Sequence, residues 1–195
     1  MTVLPEPTPV PAWLRGCWRR AWIQFADGTR NDTDPVYWLQ TASAMADVRP
    51  GNASTGYTVA DDVHTLTDGS HRATAQWYTY GVGANFQPEV TFPEPGILHV
   101  NPTGNVMMEH APSGAYVEEW HLVPGSAGSA PTRRVLSDGR ELFMAGPVAI
   151  LAPCPATAIP LECQFIVAIR HDDGTHRVVA STLPCSEGSI LDLPI

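Results

Sequence analysis

GCWRRAWIQFADGTRNDTDPVYWLQTASAMADVR, residues 16–49, decides the fold, because its largest side chains recur at every second position. Trp18, Trp22, Trp38 and Gln40 all fall on even numbers. Side chains two apart share one face of a strand, so this stretch predicts two long, tryptophan-rich strands joined by a polar turn. An antiparallel β-barrel begins in this way.

Turn signals punctuate the remainder at short intervals: Pro95-Gly96, Thr103-Gly104-Asn105, Ser113-Gly114, Asp138-Gly139 and Asp173-Gly174. Between them lie short strand-like runs at 97–100, 106–111, 116–123, 141–145, 148–151, 162–170 and 176–182, preceded by others around 73–80 and 87–92. Strands separated by tight turns form a meander, and about ten of them suffice for a sheet to close on itself and lose its exposed edges. The expected fold is therefore all-β: a single antiparallel β-barrel over residues 13–195, behind a flexible proline-rich tail over residues 1–12. The helical candidates are a short turn at Pro11 to Leu14 and a weak one within Tyr57 to Thr67.

Composition narrows the function classes. The net charge is −9, with eleven arginines and no lysine, which argues against a nucleic-acid backbone as partner. The missing lysine also excludes Schiff-base chemistry and a Walker-type phosphate loop. No apolar run approaches the roughly 20 residues that cross a bilayer, so no membrane is expected as a partner. The opening MTVLPEPTPVP has neither a basic residue nor an apolar run, and reads as a stiff extended tail rather than a signal peptide. The expected location is cytoplasmic. Cys17, Cys154, Cys163 and Cys185 show no C-x-x-C or zinc-knuckle spacing and read as reduced packing residues.

The segment Leu14-Arg15-Gly16-Cys17-Trp18, a short turn followed by Gly-x-Trp at the first strand, resembles the lipocalin and wider calycin barrels. The resemblance implies that Gly16 allows a sharp approach to the strand. It also implies that Trp18 closes the barrel floor against an arginine near the last strand, Arg170 or Arg177. A wider pattern is similar to bacterial barrel proteins of uncharacterised function: WLQTASAMADVR at 38–49, Tyr116-x-Glu118-x-Trp120, and Ser181-Thr-Leu-Pro184 before Glu187-Gly188.

The hairpin centred on Ser113-Gly114 carries the chemistry. With those residues in the turn, Ala111 faces Tyr116, Glu109 faces Glu118 and Met107 faces Trp120. One face then holds Met107, Glu109, Ala111, Tyr116, Glu118 and Trp120, a mixture suited to a cavity wall. Opposed residues have Cβ atoms about 4.5–5.5 Å apart, and two carboxylates so placed inside a barrel cannot both ionise comfortably. One holds its proton near neutrality, fit for acid/base work or for binding a cationic ligand. The opposite register would bury His110, Glu119 and His121 with little large apolar area. On the second strand Val36, Trp38 and Gln40 share a face. A bulge near Ala42 to Ala44 would bring Asp47 and Arg49 to the same side, an ion pair at the rim or one available to a ligand.

Other chemistries lack support. An Asp-Gly hairpin would set His171 opposite His176, but the stretch reads as an exposed hydrophilic turn. The other histidines lack metal-ligand spacing, so no metal is expected. No cofactor is expected either, though a single histidine leaves haem open. There is no Gly-x-Ser-x-Gly elbow, and Gly81 to Phe86 lacks the third glycine of a dinucleotide fingerprint.

The expected ligand is a small, partly apolar organic molecule, walled by Trp38, Trp77, Met107, Tyr116 and Trp120 and oriented by Gln40, Asp47, Arg49, Glu109 and Glu118. The first functional reading is a cofactor-independent isomerase, cyclase or lyase. In it Glu118 moves a proton, Glu109 raises its pKa, and Arg49 or Gln40 steadies negative charge. The alternative is a non-catalytic carrier of a hydrophobic ligand or haem.

Overall fold

The computed structural model describes residues 5–6, 8–49, 52–80, 88–90, 94–127, 130–152, 165–181, 188–191 and 193. After a 3-10 turn at Ala12–Leu14 come β1 (Gly16–Phe25), β2 (Arg30–Asn31), β3 (Tyr37–Gln40), β4 (Met45–Arg49), β5 (Asn52–Thr65), β6 (His71–Tyr80) and β7 (Pro88–Val90). They continue with β8 (Gly96–Val100), β9 (Val106–His110), β10 (Tyr116–Leu122), β11 (Thr132–Val135), β12 (Glu141–Ala145), β13 (Val148–Ala152), β14 (Ile166–Arg170) and β15 (His176–Ser181). The fold is all-β. No helix among the described residues is long and apolar enough to cross a membrane.

Eight strands close the barrel in the order β1-β3-β4-β5-β6-β8-β9-β10, and β10 returns to β1; β2 extends β1 and β7 pairs with β6. An eight-stranded barrel has an interior that side chains nearly fill, with room for one small ligand. It is compatible with a calycin-like barrel. The strands after β10 do not join the closure. They form a separate five-stranded sheet, β11-β12-β13-β14-β15, laid on the outside of β1, β3 and β4. Cys17, Tyr37, Leu39, Ala46 and Val48 of the barrel meet Phe143, Val148, Ile150 and Val167 of the second sheet in one buried cluster. Every residue of β13 is buried, because its other face packs Ala149 and Leu151 into a further cluster with Leu142, Ile166 and Val178.

Three local expectations are corrected. First, the even-number rule fails at Trp22, because the register between β1 and β10 shifts between Arg20 and Trp22. One extra residue turns the following side chains over. Trp18, Arg20 and Ile23 are therefore buried while Trp22 is not, and the Arg30 guanidinium lies 4.4 Å from the Trp22 ring centroid. Second, Tyr57 to Thr67 is not helical but forms most of β5, paired with β4 and β6. Ser54, Gly56, Thr58 and Ala60 share one face and align with Asp47, Met45, Trp77 and Ala75. Such small side chains give β5 no apolar alternation to read. Third, the arginine expected beneath Trp18 is absent: Arg170 is exposed in β14, and Arg177 in β15 bonds Asp173 at 3.0 Å.

The N-terminal segment closes the floor instead. Val10 and Leu14 are buried against Trp18, the Trp18 Nε1–H donates to the Leu14 carbonyl (2.9 Å), and Arg15 donates to the Val10 carbonyl (2.7 Å). Trp13 stacks on His71 at 5.1 Å, and the Tyr57 hydroxyl donates to the Pro5 carbonyl. The segment is thus tied to the barrel well before β1 begins. Gly16 has φ +144°, a region where only glycine is at ease. The His171 hairpin sets His176 opposite Arg170, not His171. Cys17 is buried with its thiol pushed well above the usual range by desolvation; the other three cysteines lie outside the described residues.

Candidate functional site

The register of β9 and β10 follows from their turn. Glu118 pairs with Glu109, Trp120 with Met107, and the Ala111 N–H donates to the Tyr116 carbonyl, as the Ser113-Gly114 hairpin predicts. Both residues are buried, Glu109 at 5% and Glu118 at 4% exposure. β1 adds a residue that the sequence pattern did not single out: Arg20 Nη1 donates to Glu118 Oε1 at 3.2 Å, with both side chains almost fully enclosed. Arg20 lies two residues from Trp18 on the same face, which was the available signal.

Asp47 and Arg49 reach the interior by another route than a bulge. The chain reverses at Thr41–Ala44, where the Thr41 hydroxyl bonds the Ala44 backbone, so that β4 folds back along β3 with Asp47 opposite Trp38. Arg49 grips Asp47 through Nε (2.8 Å) and Nη2 (3.0 Å), a bidentate pair. That partner raises the guanidinium pKa further and keeps it cationic.

A cavity of about 220 Å³ lies between these groups. Its apolar wall is Trp38, Met45, Trp77 and Trp120; its polar wall is Asp47, Arg49, Ser54, Thr79 and Glu109. Trp38 stands edge-on to Trp77 (centroids 6.1 Å, 74°) and to Trp120 (6.2 Å, 71°). The Nε1–H groups of Trp38 and Trp120 are buried without an acceptor among the described residues. An unmet buried donor costs about 1–3 kcal/mol, a cost that the packing of these two indoles must offset.

Not every expected residue meets the cavity. Gln40 is fully buried but spent: its Oε1 accepts from the Thr58 hydroxyl (2.7 Å) and its Nε2 donates to the carbonyls of Thr41 and Ala44. It locks the β3–β4 turn. Met107 is core beneath Trp120, and Tyr116 serves Glu109 rather than the wall, its hydroxyl donating to Oε1 at 2.9 Å. Glu118 sits behind, against Arg20.

These contacts separate the two carboxyls. Burial, then repulsion from Glu118, pushes Glu109 up to about 8, against a smaller opposing pull from the Tyr116 hydrogen bond and Arg49. Burial also raises Glu118, opposed by Arg49 and Arg20. Glu118 has an ion pair with Arg20 and Glu109 has none among the described residues, which makes Glu109 the one that holds its proton more readily. Glu109 lines the cavity, whereas Glu118, the residue expected to move the proton, lies behind it against Arg20.

Gly96 at the start of β8 makes room for this. A Cβ there would fall 2.5 Å from Trp77 Cη2 and 3.2 Å from Glu109 Oε1. Gly96→Ala is expected to drive the Trp77 ring into the cavity and to cost about 1–3 kcal/mol through overpacking. Urea unfolding checks the cost, and a shifted tryptophan emission in the folded protein checks the displacement. An unchanged emission with unchanged stability would show that the ring has room elsewhere.

No protein-family model, curated protein or solved structure matches this chain. What the site can do rests on its own geometry.

Proposed function

We propose that this calycin-like barrel takes a small organic molecule into the cavity and exchanges a proton with it through Glu109. The opposed buried pair of Glu109 and Glu118 carries the reading. A carboxyl that titrates near neutrality has both of its states populated at working pH, the condition for efficient general acid or base catalysis. Glu118, ionised against Arg20, raises the cost of ionising Glu109, while the Tyr116 hydroxyl fixes one Glu109 oxygen. Arg49 stands on the same cavity and can steady negative charge developing on the ligand. Proton removal at one atom and return at another is the chemistry of an isomerase, cyclase or lyase.

Solvent exchange tests this whatever the product is. Candidate molecules with acidic C–H bonds are incubated with the protein in heavy water, and deuterium uptake is followed by NMR. Uptake above the buffer rate, lowered about 10²–10⁴-fold in folded Glu109→Gln, is the expected result. Equal uptake with wild type and variant would remove Glu109 from the chemistry. A molecule that copurifies and binds in the cavity but never exchanges would make the barrel a carrier.

A further inference from the structure

We propose that the molecule taken by this cavity is a small organic ammonium cation, its nitrogen against the Glu109 carboxylate and its hydrocarbon against Trp38, Trp77 and Trp120. The inference rests on the small-molecule reading of the cavity and adds the charge of its ligand. Three carboxyls and two guanidiniums meet inside the barrel. Asp47 is matched by Arg49 through two contacts, and Glu118 by Arg20. Glu109 is the third carboxyl, with a tyrosine hydroxyl but no cation at ion-pair distance among the described residues. With Glu109 ionised, the interior carries one uncompensated negative charge. An anionic ligand would meet one guanidinium on the cavity wall, Arg49, whose bidentate pairing with Asp47 it would have to share, and would add to that excess.

The walls point the same way. Indole is the strongest aromatic partner for a cation, and three indoles around one desolvated space strengthen that attraction. The volume of about 220 Å³ is below the roughly 300–1,000 Å³ of sites for drug-sized ligands, so the amine is compact.

Binding then displaces the Glu109 proton to solvent, the cation taking its place: Glu109 carboxylic acid plus ammonium gives the carboxylate–ammonium pair plus one proton on the buffer. The groups facing Glu109 are Glu118 and Tyr116 on β10, Asp47 and Arg49 on β4, and Arg20 on β1 behind Glu118. Glu118 and Asp47 raise the pKa of Glu109, while Tyr116 and Arg49 lower it. Affinity for a permanent cation should therefore rise with pH through the Glu109 titration.

Calorimetric titration of the whole chain with benzylammonium, tetramethylammonium, benzyl alcohol and benzoate, in two buffers of different ionisation heat, tests this. Both cations are expected to bind more tightly than benzyl alcohol or benzoate and to release protons. Tetramethylammonium, with no proton to lose, should bind more tightly as pH rises from 6 to 9. Glu109→Gln should weaken the cations about tenfold or more, remove the proton release and affect benzyl alcohol far less than the cations. Trp77→Leu serves as a second variant that should also weaken the cations. If benzyl alcohol or benzoate binds as well as the cations, the ammonium proposal fails while the small-molecule reading survives. If none of the four binds, both fail.

Discussion

Replacing Arg20 by methionine is expected to destabilise the protein by about 3–5 kcal/mol, more at pH 8 than at pH 5. The side chains of Arg20 and Glu118 are 8% and 5% exposed, so the substitution removes one half of an ion pair from which water is excluded. What remains is a carboxylate that must either stay ionised without a partner or take up a proton. The second course becomes cheaper as pH falls, which sets the direction of the pH effect. Methionine keeps much of the arginine stem volume against Trp120, the residue paired with Arg20, so that lost packing stays small. Adding Glu118→Gln to Arg20→Met should recover most of the loss, because a neutral amide no longer demands the cation. Urea unfolding of the two single variants and the double gives the coupling directly. A loss under about 1 kcal/mol for Arg20→Met would mean that the pair behaves as a solvated surface bridge, and the field assigned to Glu118 would go with it.

The register of this pair's hairpin was legible, and Arg20 was not, for one physical reason. A tight turn fixes antiparallel pairing on either side of it, so Ser113-Gly114 dictates that Glu109 meets Glu118. Parity with Trp18 puts Arg20 on the inner face, but it meets Glu118 from across the barrel seam, where no turn sets the register and the pairing shifts just beyond it, between Arg20 and Trp22. Asp47 and Arg49 were placed on the correct side by an assumed bulge, whereas the chain makes a full reversal at Thr41–Ala44. Gln40 was readable as an inward residue but not as a spent one. Its partners, Thr58 and the turn carbonyls, come together only once the turn has formed.

The closure of the barrel by eight strands, with a second sheet outside it, also had a trace in the sequence. ValAlaIleLeuAla at 148–152 is a continuous apolar run, whereas a strand with one face to water or to a polar cavity alternates. β9 shows the contrast, with Met107 and Glu109 buried and Val106, Met108 and His110 only partly so. A run buried on both faces belongs in a middle layer, and β13 lies in one, between the barrel wall and the outer cluster of Leu142 and Ile166. That trace shows a double-sided strand but not which neighbour covers each face.

Glu109→Gln is expected to leave stability near pH 5 almost unchanged and to raise it near pH 9 by a few kcal/mol, reversing the usual cost of altering a buried polar residue. The Glu109 carboxyl titrates at about 8 in the folded chain and in the ordinary carboxylate range, roughly 4.3, when unfolded. Between those values the folded state holds a proton that the unfolded state has released, so unfolding becomes easier as pH rises. The stability carried by the protonated form is complete below about 4.3 and is lost as pH climbs through 8. Glutamine mimics the protonated acid: its carbonyl still accepts from Tyr116, and it cannot ionise. The variant should therefore keep its urea midpoint across pH 5–9, apart from the slope due to Glu118, while the wild-type midpoint falls. Tetramethylammonium should offset that fall in the wild type and do much less for the variant, because the cation replaces the proton that high pH removes. Parallel pH profiles for the two proteins would put the Glu109 titration back in the ordinary range. The barrel would then have no carboxyl poised to trade a proton with its ligand.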